Sequence, residues 1–522
     1  MTTTEAPRPA ARPERESFLP VLRSEWTKFR TIRSGLIGLG VAVVLCTVFT
    51  FLVANGTHEG TCTGTGSTCR SGHPYVATGP DGEAVADSYR FVERPLTGDA
   101  TITARVRSLT GVTSTTSTDA APSLDHVRPG LAAWAKAGIL LRPSTAQGSP
   151  YAAVMATGAH GVRFQHDYTH DQAGRPGPVS GASPRWLRLT RTGDTLTGYD
   201  SADGRAWTKI GTARLAGLPA TVHVGLFVTS PVSFERSGSG FATQATAAFD
   251  HVTQGAQGAE GAWREQSIGA QDFYPKLPGD GSRRDGGSFV LRGSGDIAPA
   301  VVAGLLGTGT PSSSILTGLI VGLIAVIVVA AMFITVEYRR GLIRTTFTAT
   351  PRRHRVLAAK AVVIGGVAFV VGTLAAAIAV PIGEHVLKAN GAYVFPVGAP
   401  TLARIIAGTG ALAAVTAIAV LAVGTIVRKS AGAVTAGIVV FVLPYILGSS
   451  MSGGAEQWLF RVTPAAGFSV LGTLPRSAQV DYPYTLANGY YPLSWWAGLG
   501  VLCAYAVLAL GIAAVTLRRR DA

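Results

Sequence analysis

The chain has 522 residues and a formal net charge of +15, with 45 Lys and Arg against 30 Asp and Glu. This charge would indicate a nucleic-acid partner in a soluble protein, but 47% of the residues are hydrophobic and the mean hydropathy is +0.30. A basic chain this apolar is typical of a membrane protein with basic residues at the membrane edges, so we expect no nucleic-acid partner.

The first membrane span is predicted at residues 35–54, a run with no charged residue. About 20 apolar residues cross a ~30 Å hydrocarbon core as a helix. The run follows a long basic head, residues 1–34, and both are longer than in a cleaved signal peptide. We therefore predict an uncleaved span.

Two cysteines follow this span in the stretch GTCTGTGSTCR, where Cys62 and Cys69 lie seven positions apart. In an oxidising outer compartment such a pair can close a small loop, whereas two free thiols would be exposed and reactive there. We predict a disulfide between them. Cys46 and Cys503 fall inside predicted spans and are interpreted as small apolar residues.

Residues 55–314 have the pattern of a β domain. Several runs alternate polar and apolar residues, as half-buried antiparallel strands do, and the turn signals RTGD and ADGR separate neighbouring runs. The runs are ATITARVRSL, KAGILLRPS, YAAVMATG, GVRFQHDY, RWLRLTRTGDTLTGYDS, AWTKIGTARL, VHVGLFVTS and ATAAFDHV. They predict an all-β sandwich over about residues 88–252, with a linker over about 253–314.

This region resembles a laminin-G-like or concanavalin-A-like, jelly-roll-like β-sandwich in the stretches AKAGILLRPS, RWLRLTRTGDTLTGYDSADGRAWTKIG, VHVGLFVTS and AAFDHV. The resemblance implies that Trp186, Tyr199 and Trp207 could stack on sugar rings. The alternative is that Trp186, flanked by Leu187 and Leu189, packs in the core. Both interpretations are open from the sequence.

The stretch GAHGVRFQHDYTHDQ gathers three histidines and two aspartates, but in a strand-and-loop context without a cysteine partner or an HExxH glutamate. A solvated loop explains it better than a metal site, so no metal site is predicted. The sequence also contains no GxxxxGK[ST] phosphate-binding loop, no GxSxG and no kinase motif set. We predict that this chain is not an enzyme and binds no cofactor itself.

Five more spans are predicted at residues 315–336, 361–382, 405–427, 431–450 and 495–517. Pro444 indicates a kink in the fifth. The connections at 1–34, 337–360, 428–429 and 518–522 are basic, and six spans put all four on one side. Under the positive-inside rule, this side and both termini are cytoplasmic, whereas 55–314 and 451–494 are extracellular.

Three stretches resemble the permease subunit of type-2 (exporter) ABC transporters: LRSEWTKFRTIRS before the first span, EYRRGLIRTTFTATPRRHRVLAAK after the second, and the terminal LRRRDA. The resemblance implies an α-helical bundle of six spans that works in the plasma membrane with a separate ATP-hydrolysing subunit. It also implies a homodimer or heterodimer with a second permease, and an interfacial helix over residues 24–33.

The same resemblance makes residues 337–360 the cytoplasmic loop that couples the spans to the ATPase. A short helix over residues 341–349, stopped before a proline, would carry the movement. Glu337 could pair with Arg340 or Arg344 at helical spacing. The expected coupling residues are Glu337, Arg340, Arg344, Pro351, Arg352 and Arg353. The alternative is that the arginines only fix topology and bind anionic lipid.

The function predicted from these observations is outward transport of an unknown substrate by an ABC exporter, with an extracellular β-sandwich for binding or sensing. A membrane-anchored carbohydrate-binding or adhesion protein is the alternative, although display of one domain does not need six spans. A membrane enzyme acting on lipids or wall polymers ranks last, because few acidic or nucleophilic residues lie at the outer face.

Overall fold

The computed structural model describes residues 18–31, 33–56, 61–62, 69–70, 77–117, 122–235, 239–255, 262–269, 276–300, 315, 318–349, 352–392, 394–450, 455–473, 476–480 and 489–520. The chain forms a helical bundle and an all-β sandwich inserted between its first and second spans, which confirms the predicted fold class.

The described helices are α1 (Phe18–Thr31), α2 (Arg33–Gly56), α3 (Gly318–Arg339), α4 (Leu342–Ala349), α5 (Arg353–Ala389), α6 (Ala399–Val427), α7 (Ser430–Phe441), α8 (Leu443–Ser450), α9 (Ala455–Val462), a 3-10 helix (Pro464–Leu471) and α10 (Trp495–Arg520). Within the described residues, six helical stretches are long and apolar enough to cross a membrane. They are α2, α3, α5, α6, the pair α7–α8, and α10, in agreement with the six predicted spans.

The span helices differ from their predicted bounds for simple physical reasons. Helix α5 has 37 residues because helical hydrogen bonding continues into polar sequence at both ends of the apolar run. The fifth span is divided between α7 and α8 at Val442, close to the predicted kink at Pro444, whose ring and missing N–H interrupt a helix.

The segment between α8 and α10 was expected to be a simple outer connection, but most of its described part folds back against the bundle. Helix α9 leads into the 3-10 helix, all of whose residues are buried. Gly498 on α10 permits this close packing, because a Cβ there would lie 2.1 Å from the carbonyl oxygen of Ala466. Arg404 also donates a hydrogen bond to the carbonyl of Gly472.

One end of the bundle carries most of the bundle's own basic residues, and we call it the basic end. It carries α1, the connection from α3 to α5, the connection from α6 to α7, and the end of α10. Two contacts illustrate this grouping: Arg353 donates to the carbonyl of Leu517 at 2.9 Å, and the Arg428 guanidinium lies 5.2 Å from the Tyr338 ring centre. The alternation of connections predicted from the charges is therefore present in three dimensions.

The described strands are β1 (Thr61–Cys62), β2 (Cys69–Arg70), β3 (Ala77–Thr78), β4 (Ala84–Asp87), β5 (Tyr89–Thr97), β6 (Ala100–Ser114), β7 (Val127–Pro129), β8 (Lys136–Arg142), β9 (Ala152–Thr157), β10 (Val162–His166), β11 (His170–Ala173), β12 (Arg185–Thr192), β13 (Thr195–Ser201), β14 (Thr208–Arg214), β15 (Thr221–Thr229), β16 (Ser233–Phe234), β17 (Gly240–Phe241), β18 (Thr243–Gly255), β19 (Arg264–Ile268), β20 (Gly281–Asp285), β21 (Ser288–Gly293) and β22 (Ile297–Pro299).

Two antiparallel sheets form the sandwich. The first has the order β11-β10-β9-β8-β15-β5-β19 and the second β14-β13-β12-β6-β18-β21-β20, with β7 paired to β6. Alternate residues of both sheets point inwards, and the core between them includes Ile139 and Val154 from the first sheet and Leu187 and Phe249 from the second.

The outer side of the first sheet is covered by a small sheet of order β22-β4-β3. Two buried ion pairs hold it: Arg142 to Asp87 at 2.9 Å, and Lys136 to Asp296 at 2.8 Å. The predicted linker over 253–314 is corrected here, because β19, β20, β21 and β22 lie in it and pair with the sandwich strands or the small sheet. Their short runs separated by glycines look like a linker in sequence.

The bundle also touches the sandwich directly. The side-chain amide of Gln479, on the way to α10, donates a hydrogen bond to the carbonyl of Tyr168 in the turn between β10 and β11. Asp167 and Tyr168 both have positive φ, 46° and 59°, which is uncommon for residues other than glycine. This strained turn therefore lies at a contact between the two parts of the chain.

Candidate coupling site and sugar-binding face

The end of α3 and the short helix α4 form the first candidate site. Helix α3 ends after Arg339 because Gly341 adopts φ +70°, a conformation that favours glycine and stops the helix. Helix α4 then runs over Leu342–Ala349, close to the short helix predicted for residues 341–349. Leu342 is exposed, whereas Ile343 is buried against the bundle.

The predicted coupling residues do not share one environment. Arg340 and Arg352 are exposed, and Arg352 precedes the first turn of α5. Arg353 is half-buried and bonded to α10. Arg344 lies in α4, but its side chain is not among those described, and Pro351 lies outside the described residues. Their role in coupling stays a prediction.

Glu337 has a different partner from the one expected. Its Oε1 atom accepts a hydrogen bond from Lys360 on α5 at 2.6 Å, and no ion pair with Arg340 is formed; the pairing with Arg344, whose side chain is not described, stays a prediction. Its Oε2 atom is buried and accepts no hydrogen bond from the described residues. Sequence spacing favoured a partner on the same helix, but Glu337 faces the bundle and not the loop.

Lys360 also reaches a second carboxylate, on the N-terminal helix. Its Nζ atom lies 2.6 Å from Oε2 of Glu25, and the other oxygen of Glu25 accepts from Lys28 at 2.7 Å. Glu25 and Lys360 are each 1% exposed. We call Glu25, Lys28, Glu337 and Lys360 the ion cluster; it joins α1, α3 and α5.

Aromatic side chains enclose the ion cluster. The Lys360 ammonium lies 4.7 Å from the ring centre of Phe333, and Phe29 of α1 meets Phe333 edge-on at 5.4 Å. Below it, the hydroxyls of Thr335 and Ser430 lie 2.7 Å apart and connect α3 to α7. The end of α3 therefore contacts several neighbouring helices.

Sequence reasoning missed Glu25 and Lys360 as functional candidates. Both lie inside the stretches that carry the permease resemblance, and each lies within about one helical turn of aromatic or apolar residues on the buried face of its helix. Charged residues in such positions are usually paired. That signal could have selected them, but it does not give the partner, which comes from another helix far away in sequence.

The second candidate site is the outer face of the second sheet. Leu187 and Leu189 point into the core, so Trp186 and Arg188 of the same strand point outwards. Tyr199 pairs with Arg188 in the neighbouring strand, and Trp207 lies under the Arg188 guanidinium at 3.8 Å. The core-packing interpretation of Trp186 is therefore wrong: the three predicted aromatic residues are half-buried and lie outside the core between the sheets.

Arginines frame this aromatic face, which we define as Trp186, Arg188, Tyr199 and Trp207. The Arg105 guanidinium lies 5.4 Å from the Trp186 ring centre and donates two hydrogen bonds of 2.6 Å to Asp250. The bonds from Arg105 lower the pKa of the Asp250 carboxyl. Arg188, in contrast, forms no ion pair with a described acidic side chain. Flat rings with adjacent N–H donors suit a polar, ring-shaped ligand.

The cysteine pair and the histidine-rich turn give less support for a functional site. Cys62 and Cys69 are partners in the β1–β2 ladder, a register that brings their backbones together; their side chains are not among those described, so the disulfide stays a prediction. His166 and His170 face each other across β10 and β11 with stacked rings 4.3 Å apart. In the described part of the chain, no group of three or more His, Cys, Asp or Glu side chains could hold a metal.

Comparisons with known proteins bear on the bundle more than on the sandwich. No curated protein matches the chain. Among solved structures, a functionally unknown protein from Saccharomyces cerevisiae matches at 16% identity over 39% of this chain and 98% of its own, with a TM-score of 0.21. Scytalido-glutamic peptidase with a transition state analog inhibitor matches at 9% identity over 41% of this chain and 100% of its own, with a TM-score of 0.25. Values this low do not establish a shared fold.

The family described as ABC-2 family transporter protein matches residues 210–522. The match covers more than half of the chain and includes α3, α4, α5 and every later span helix. The chain therefore belongs to the ABC-2 family and is a membrane-embedded permease component of an ABC transporter.

Proposed function

We propose that this chain is the permease of an ABC exporter and moves its substrate outward with ATP hydrolysed by a separate subunit. The family membership carries the proposal, and the lack of a phosphate-binding loop in the sequence supports it, because the energy source must then lie in another chain. Two permeases, identical or different, with two ATPase subunits would form the transporter.

The contact with the ATPase is proposed at helix α4. This short helix connects α3 to α5, and the ends of those two span helices are bonded through Glu337 and Lys360. Arg339 and Arg340 are exposed beside it, so a positive surface faces away from the bundle. A movement applied to α4 would reach two spans at once.

The basic end is proposed to be cytoplasmic, because basic residues in short connections are retained on that side. The sandwich connects α2 to α3 at their opposite ends and would then be extracellular. Both termini would be cytoplasmic, and the predicted Cys62–Cys69 disulfide would lie in an oxidising compartment.

Purification of the tagged chain from its native membrane tests the permease assignment. We expect an ATPase chain with Walker motifs to co-purify in a ratio of one to one, and ATP hydrolysis to be inhibited by vanadate. A permease that purifies alone from mild detergent, under conditions where other ABC complexes stay intact, would contradict the proposal.

The sandwich is proposed to bind a saccharide on the aromatic face. The supporting observation is that Trp186, Tyr199 and Trp207 lie on the outer side of adjacent strands or next to them, with Arg188 between them as a donor. Aromatic rings stack on the apolar faces of sugars while nearby donors bind the hydroxyls. A laminin-G-like or concanavalin-A-like ancestry of the sandwich would agree with this role.

A glycan array probed with the detergent-purified full chain tests the saccharide role. We expect Trp207→Ala to weaken binding by about tenfold or more, since a stacking aromatic ring contributes on the order of 1–2 kcal/mol. The matched control is Trp458→Ala, which removes a 64% exposed tryptophan on α9 in the bundle. Equal loss of binding in both variants, or no binding by the wild type to any glycan, would contradict the saccharide role.

A further inference from the structure

The ion cluster is costly to form, so its presence at the junction of three helices calls for a reason. Transfer of charged groups out of water costs several kcal/mol for each ion unless partners compensate. Here two carboxylates and two ammonium groups balance each other, and the three closest contacts are 2.6, 2.6 and 2.7 Å. Such a cluster adds little stability over apolar packing, but it defines one arrangement of its partners.

Apolar packing covers only part of helix α1. A groove of about 500 Å³ separates Leu22 and Trp26 of α1 from Val363, Val367 and other valines of α5. Trp26 is 47% exposed, and the only fully buried side chains of α1 among the described residues are Glu25 and Phe29. The contacts of α1 with the bundle are therefore made by Phe29, the partly buried Leu22 and the charged Glu25.

Lys360 is the centre of the cluster, since its Nζ atom lies 2.6 Å from an oxygen of each carboxylate, Glu25 and Glu337. It lies two turns into α5, the helix that follows the proposed ATPase contact at α4. Removal of Lys360 would leave two buried carboxylates with only Lys28 to balance them, and Glu337 would lose its ion-pair partner. The ionic contacts of all three helices thus meet at this side chain.

We propose that Lys360 is a positioning residue that locks α1 to the end of α3 and the start of α5, so that these three elements move as one body when α4 is displaced. The inference rests on the proposed function only for the source of that displacement. The fixed position of α1 is a property of this chain alone, which separates the two proposals experimentally.

The first experiment uses the permease alone in nanodiscs. A spin label is attached at Ser24→Cys, on the exposed side of α1, in a chain without other reactive cysteines. We expect an immobile spectrum in the wild-type background and a mostly mobile one in Lys360→Met, because the ratio of docked to released α1 should fall on the order of a hundredfold. Lys360→Arg should preserve the immobile spectrum.

Lys388→Met is the matched control, since Lys388 lies on the same helix and pairs with Glu384 at 3.7 Å while 61% exposed. If Lys360→Met does not accumulate in the membrane, the triple variant Glu25→Gln, Lys360→Met, Glu337→Gln replaces it, because it buries no charge. We expect this variant to insert normally and still release α1. An immobile α1 in either variant would overturn the proposal.

The second experiment uses the complex with its ATPase. A second label at Ala358→Cys, on the exposed side of α5, gives a distance to the Ser24 label. We expect the same distance with ADP and with ATP plus vanadate in the wild type, and a broadened distribution in Lys360→Met. A wild-type distance that changes between the two states would overturn movement as one body. Failure to obtain any ATPase complex would contradict the proposed function and leave the first experiment decisive for Lys360.

Discussion

The position of a single residue in a strand or helix decides whether its side chain points into the core or towards a functional surface. Trp186 comes just before Leu187 and Leu189 in the sequence, and a tryptophan there fits both a core and a surface role. The strand pleat puts Leu187 and Leu189 in the core and turns Trp186 to the other side. The same argument applies to Glu337, whose position on α3 turns its side chain towards Lys360 of α5.

Substitution of Asp87, in the small sheet that covers the sandwich, is expected to have a large effect on stability. It pairs with Arg142 at 2.9 Å and accepts from the amide of Gly148 at 2.8 Å, and both charged side chains are 1% exposed. Asp87→Asn leaves a buried guanidinium without its charge partner, so we expect the sandwich to lose about 3–5 kcal/mol of stability. Thermal unfolding of the full chain in detergent, followed by tryptophan fluorescence, measures the loss. The exposed Asp125→Asn is the control, and a loss below about 1 kcal/mol in Asp87→Asn would show that the pair is dispensable.

Asp250 should make the sandwich sensitive to acid. The hydrogen bonds from Arg105 lower its pKa, with a smaller contribution from His251, whose Nδ1 lies 3.1 Å away. Because the folded state favours the carboxylate, its contribution is complete above about pH 4 and is lost as the pH falls through the lowered pKa.

The measurement is the melting temperature of wild type and Asp250→Asn between pH 7 and pH 3. We expect the variant to melt lower at pH 7 and the difference to shrink towards pH 3. The control is Asp285→Asn, at an exposed residue of the same sheet. Its melting temperature should change with pH as that of the wild type does. A difference that is constant with pH would mean that Asp250 acts through packing and not through its charge.

Among the elements, helix α4 was the best predicted from sequence. Its start follows from Gly341, whose left-handed conformation stops α3, and its end follows from the proline that comes two residues after Ala349. Helix α9 and the 3-10 helix after it were missed, because their apolar residues form no run long enough to predict a span. The strands β19 to β22 were missed because they are short and separated by glycines.

Charge reversal next to α4 tests the coupling contact. Arg340 is exposed beside this helix, so Arg340→Glu should not disturb the bundle. If α4 meets a complementary surface of the ATPase, we expect the dissociation constant of the complex to rise by about tenfold or more, since like charges across an interface cost several kcal/mol. Microscale thermophoresis with the purified ATPase measures it. The control is Arg461→Glu, which reverses the charge of an exposed residue on α9. Equal affinities of the two variants for the ATPase would exclude Arg340 from the contact.

In the whole molecule, the two parts of the chain have separate hydrophobic cores. One core contains the span helices, and another lies between the sheets of the sandwich. In the small sheet, β4, which leads into the sandwich, pairs with β22, which follows it. This arrangement makes the sandwich an insertion that leaves the six-span pattern intact.

The orientation of the whole molecule can be tested with single cysteines in a chain whose four native cysteines are replaced. We expect Asp285→Cys in the sandwich to react with a membrane-impermeant maleimide in intact cells, because positive-inside retention puts the basic end in the cytoplasm. Lys429→Cys at the basic end should react only after permeabilisation. Labelling of Lys429→Cys in intact cells at the rate of Asp285→Cys would reverse the proposed topology.

The sequence by itself determined the six spans, the side on which the basic connections gather, the presence of a β domain and the short helix at α4. These follow from local causes: the length of an apolar run, the period of a pattern, and the backbone limits of glycine and proline. Tertiary structure alone decided which charged side chains form ion pairs and which side of the sheet carries the aromatic rings. It also decided that the strands of the predicted linker pair with the sandwich and the small sheet. Glu25 and Lys360 are 335 positions apart, and no local pattern encodes a contact that depends on how three helices pack.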